Sequence, residues 1–72
     1  MKYYKVKVFA YEEMGITDFI VQYSEQYSVA DVGSALRADI SEVCKVSFPT
    51  FAFIEISEKR ALKEQKKGVL IL

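Results

Sequence analysis

Apolar and polar residues alternate from the start of the chain. Tyr4, Val6, Val8 and Ala10 share one parity, and Tyr3, Lys5, Lys7, Phe9 and Tyr11 share the other. Side chains of an extended strand point alternately to its two sides, so the first set makes an apolar core face and the second a mixed face of lysines and aromatics. A second alternating run, about Ile16 to Ser24, follows the turn Glu12-Glu13-Met14-Gly15, where Gly15 supplies a positive φ if the turn needs one. With Tyr11 opposite Ile16, this hairpin sets Val8 against Phe19, Val6 against Val21 and Tyr4 against Tyr23 on one side. The other side then collects Phe9, Asp18, Lys7, Ile20, Lys5 and Gln22. A slip of one residue would scatter the apolar face.

The period then changes from two to 3.6. Val29, Val32, Gly33, Leu36, Ile40 and Val43 fall on one stripe of a helical wheel, with Asp31, Ser34, Ala38, Ser41 and Glu42 on much of the remainder. Ser28 stands before the stripe as N-cap, with Asp31 three residues on, close to a capping box. Gly33 lies mid-stripe. It costs the helix about 1 kcal/mol relative to alanine, and its place on the packed side implies a close approach to the sheet or to an aromatic ring.

Lys45 to Ser57 is a further extended region. Pro49 marks an edge, bulge or break, and Phe51-Ala52-Phe53-Ile54-Glu55-Ile56 is apolar on both sides, as a central strand would be. Glu58 to Lys67 is rich in helix formers, with Arg60 and Glu64 spaced for an ion pair. Its apolar content is only Ala61 and Leu62, so it reads either as a short solvated helix or as a long charged turn. After Gly68, the run Val69-Leu70-Ile71-Leu72 predicts a final strand. The fold class expected is α+β: a mainly antiparallel sheet in the order β-β-α-β, charged connector, β, with one amphipathic helix on one face. The 72 residues form a single domain.

Size sharpens the picture. A chain of 8.3 kDa buries only roughly 60% of its extended surface, and chains this small commonly rely on disulfides, metal or a partner. Cys44 is the one cysteine and histidine is absent, so neither an intrachain disulfide nor a metal site is expected, and no cofactor either. Good packing or oligomerisation remains. The mixed face of Tyr3, Lys5, Lys7, Phe9, Tyr11 and Ile20 is the expected interface or ligand face, because contiguous apolar patches with tyrosine and phenylalanine mark interfaces.

Charge is balanced, ten basic against ten acidic residues, with lysines at the two ends and acids in the middle. A single-stranded nucleic-acid binder, stacking bases on Phe9 and Tyr11 and neutralising phosphates with Lys5 and Lys7, is the alternative reading. Neutrality overall, together with Asp18 and Ile20 on the same face, disfavours it. No catalysis is expected: the usual base is missing, Gly15, Gly33 and Gly68 form no phosphate-binding pattern, and Cys44 between valines reads as a structural thiol despite Lys45 beside it. The segment Met1 to Lys5 has no signal-like apolar stretch, and Val69 to Leu72 is too short to span a bilayer. The expectation is therefore a cytoplasmic, non-enzymatic protein-binding or regulatory module. It forms a homo-oligomer, in the simplest case a two-fold dimer, and docks on a larger protein partner.

Overall fold

A computed structural model describes residues 1–9, 18–45 and 47–72, with the Cys44 side chain excepted. Three strands and two helices follow in the order β1 (Lys2–Val8), β2 (Asp18–Tyr23), α1 (Val29–Cys44), β3 (Phe51–Ile56) and α2 (Glu58–Lys66). The α+β class holds. The sheet is antiparallel with strand order β2-β1-β3. The turn 12–15, and with it Ala10, Tyr11, Ile16 and Thr17, lies outside the described residues.

The hairpin register differs from the one expected by two residues. Tyr4 stands opposite Val21, Val6 opposite Phe19 and Lys5 opposite Ile20. A shift of two preserves every face assignment, because alternation has a period of two. One face therefore carries Tyr4, Val6, Val8 and Val21, which pack with Val32, Leu36 and Ile40 of α1 as the core. Phe19, Tyr23, Phe51 and Phe53 border this cluster. Each of its large buried side chains contributes on the order of 1.5–3 kcal/mol.

Helix α1 begins as its sequence dictates. The Ser28 hydroxyl accepts from the Asp31 N–H at 3.1 Å, and the Ser28 N–H donates to the Asp31 carboxylate at 3.0 Å. The capping box is complete with Asp in place of Glu. The helix ends at Lys45, whose φ of 56° is left-handed and whose N–H returns to the Ser41 carbonyl. Gly33 faces Phe53, as the stripe implied: a Cβ placed there would lie 3.5 Å from the ring. The two ends of the stripe do not reach the sheet. Val29 and Val43 are exposed, Val43 to 71%.

The charged connector is the helix α2, capped by the Ser57 hydroxyl on the Arg60 N–H at 3.1 Å. It buries Ala61 and packs against β1. Its Glu64 reaches Lys5 at 3.5 Å, which puts α2 on the sheet face opposite α1. Topology accounts for this. β2 and β3 are both antiparallel to β1, hence parallel to each other, and Ile71 forms a parallel bridge with Ile20 of β2. Helix α1 carries the chain from β2 to β3, and α2 carries it back. Two crossovers of the same right hand that run in opposite directions fall on opposite faces.

Two expectations about strands are corrected. β3 is an edge strand rather than a central one, since it pairs with β1 alone. Its two-sided apolar pattern is met by partial burial of Phe51 and Phe53 on one side, while on the other Ala52 and Ile54 are exposed and Ile56 alone is half-buried. The C-terminal segment makes a single bridge at the β2 edge rather than a full strand, held by Ile20 N–H to Leu70 O and Leu72 N–H to Ile20 O, both 2.8 Å.

Candidate functional site

The mixed face predicted from β1 is divided by α2 into a covered and an open part. Ile20 is fully buried in the covered part, so it offers nothing to a partner. Lys5 and Tyr3 are half-buried. The Lys5 ammonium is held by Glu64, which also lies 3.9 Å from Arg60. A lysine among apolar neighbours on a sheet thus finds its counter-charge on the helix above it.

The open part lies toward β3. Lys7 is exposed and stands between Asp18 on β2 and Ala52 on β3. Phe9 is 42% exposed and Ile54, opposite Lys5 on β3, is 66% exposed. A shallow hollow of about 240 Å³ is lined here by Lys5, Lys7, Asp18, Ala52, Phe53 and Ile54. Of the six residues expected to form the site, the structure brings Lys7 and Phe9 to the open part, with Lys5 at its margin. Tyr11 lies outside the described residues. Ala52 and Ile54 of β3 also belong to the open part; the two-sided apolar run placed half of its residues on this face without showing which of them stay open.

Charge on this surface alternates rather than accumulates. Lys7 faces Asp18 across the β1–β2 pair, and Lys5 is taken by Glu64. A phosphate track needs unpaired cations in a row, and these two are interleaved with acids.

A second concavity, about 420 Å³, runs between β2 and α1 on the other side of the sheet. Phe19, Val21, Tyr23, Ile40 and Val43 line it, together with Asp39. Burial raises the Tyr23 phenol above its ordinary value of 10.0, and the nearby Asp39 carboxylate and Tyr27 add to the rise. Tyr23 therefore stays a neutral hydroxyl through the physiological range. Tyr27 stacks on it, with ring centroids 5.3 Å apart. The groove offers an apolar wall with one hydroxyl and one carboxylate.

Among the described residues, no three His, Cys, Asp or Glu side chains converge as metal ligands. No described helix is long and apolar enough to cross a membrane. Comparison with protein-family models, curated proteins and solved structures gives no match.

Proposed function

We propose that this chain is a small non-enzymatic protein-binding module that associates first with a second copy of itself, through the open β1–β3 side of its second sheet face. The observation that carries this reading is Ile54, a large aliphatic side chain 66% exposed in the middle of β3. The hollow between Lys7 and Ala52 adjoins it, and exposed Phe9 lies further along the same face of the sheet. An apolar surface of this kind, flanked by charges of both signs, is what a homo-oligomer buries. Docking on a larger protein partner belongs to the same reading, as does a cytoplasmic location, which suits a single unpaired cysteine.

The test is the native mass of wild type beside Ile54→Asp. A wild-type dimer that the substitution splits, with helix content retained in circular dichroism, is the expected outcome. A wild type that is monomeric at every concentration sinks the proposal.

A further inference from the structure

The backbone hydrogen bonds fix which groups of each edge strand face outward. The Phe9 N–H donates to Thr50 O at 2.9 Å, in register with the β1–β3 pairing. Hydrogen-bonded pairs alternate along an antiparallel ladder, so Ala52, Ile54 and Ile56 direct their N–H and C=O groups to β1. Phe51, Phe53 and Glu55 direct theirs away from it. The same alternation carried across β1 turns the backbone groups of Ile20 outward on β2, and there both are taken by Leu70 and Leu72 of the same chain. The β2 edge of the sheet is thus covered at Ile20 by the C-terminal segment. At the β3 edge, no described residue bonds the outward backbone groups.

Natural sheets guard open edges with lysine, proline or a bulge. Phe51–Ile56 contains no lysine or proline and a single charge, Glu55. We infer that β3 pairs antiparallel with β3 of a second copy about a two-fold axis at Phe53, joining two sheets into one. This rests on the self-association reading and specifies its contact.

The occupant is a second copy because the strand is complementary to itself in this register. Phe53 meets Phe53 of the second copy, and Phe51 meets its Glu55. Every outward N–H and C=O of β3 then faces an outward group of the other strand, and each such pair exchanges both of its hydrogen bonds. The residues between them, Ala52 and Ile54, fall opposite each other in the closer, non-hydrogen-bonded spacing. The exposed Ile54 side chain is thereby laid against the small Ala52 of the other copy, on the same face as the open hollow. On the α1 side, Phe51 and Phe53 already stack at 6.1 Å, and the stack continues across the axis. Such a contact is isologous and closed, as a two-fold dimer requires.

The discriminating variant is Glu55→Pro. Proline removes an N–H that points away from β1 and is tolerated on an edge with its nitrogen outward, so the β1–β3 ladder is retained. The expected result is a monomer with wild-type helix content. Amide hydrogen exchange on wild type is the second reading, independent of whether the variant folds. At high concentration Phe51, Phe53 and Glu55 exchange slowly along with Ala52, Ile54 and Ile56; on dilution only the latter set stays protected. A wild-type dimer whose Phe53 amide exchanges fast, or a Glu55→Pro protein that stays dimeric, overturns the edge contact and leaves self-association standing. A wild type monomeric throughout overturns both.

Discussion

Gly33 of α1 lies against the ring of Phe53, and a methyl group in place of its hydrogen would sit 3.5 Å from the ring carbon. That is ordinary contact, not a clash. Gly33→Ala therefore fits and gains helix propensity, and it is expected to stabilise the fold by about 0.5–1 kcal/mol in urea unfolding. Gly33→Leu has no such space and pushes Phe53 away, so a loss of about 1–3 kcal/mol is expected.

The hydroxyl of Tyr4 is buried with no hydrogen-bond partner among the described residues. Its ring meets Tyr23 and Phe53 edge-on, with centroids 6.3 and 6.0 Å away. Tyr4→Phe keeps both contacts and removes an unsatisfied polar group. Such a group costs about 1–3 kcal/mol when buried, so the variant is expected to unfold at higher urea than wild type. A lower midpoint would show that the hydroxyl has a partner.

Much of this arrangement is legible in the sequence, and the places where it is not have identifiable causes. The parity of Tyr4, Val6 and Val8 gives the core face, and Ser28 with Asp31 gives the start of α1. Parity does not distinguish Val6 opposite Val21 from Val6 opposite Phe19, since both keep the same residues inside. The position of β3 in the sheet is equally hidden. Phe51 to Ile56 is apolar on both sides, yet on the side away from Phe53 Ala52 and Ile54 are left exposed. The lysines of β1 suggested a ligand face. Lys5 owes its place to Glu64, which lies in a segment whose slight apolar content left helix and turn equally open. Ala61 is buried beneath α2, a small residue that lets the helix lie close.

The Lys5–Glu64 contact, with Glu64 largely buried, ties α2 to β1. Substitution of Glu64 by Gln is expected to cost about 0.5–1 kcal/mol. A double-mutant cycle with Lys5→Met isolates the pair from the shared contact with Arg60. A coupling near zero would mean that Ala61 alone holds the helix.

Asp31 gives the fold a pH dependence of known sign. Hydrogen bonds from the Ser28 backbone N–H and then its hydroxyl hold the Asp31 carboxyl below its ordinary value of 3.8. The charged form is favoured in the folded state, so this contribution is present in full above about pH 4. It is lost as pH falls through the lowered folded value. Asp31→Asn is expected to flatten the stability profile between neutral pH and that range. An NMR titration that places the Asp31 midpoint at or above 3.8 would contradict the cap.

We propose that the open β3 side joins two copies. Light scattering on a sizing column, carried over about a hundredfold dilution of wild type, tests it most directly. The expected mass is twice 8.3 kDa at the concentrated end, falling toward the single-chain value on dilution, because small contacts dissociate readily. A mass of 8.3 kDa at every concentration would contradict it.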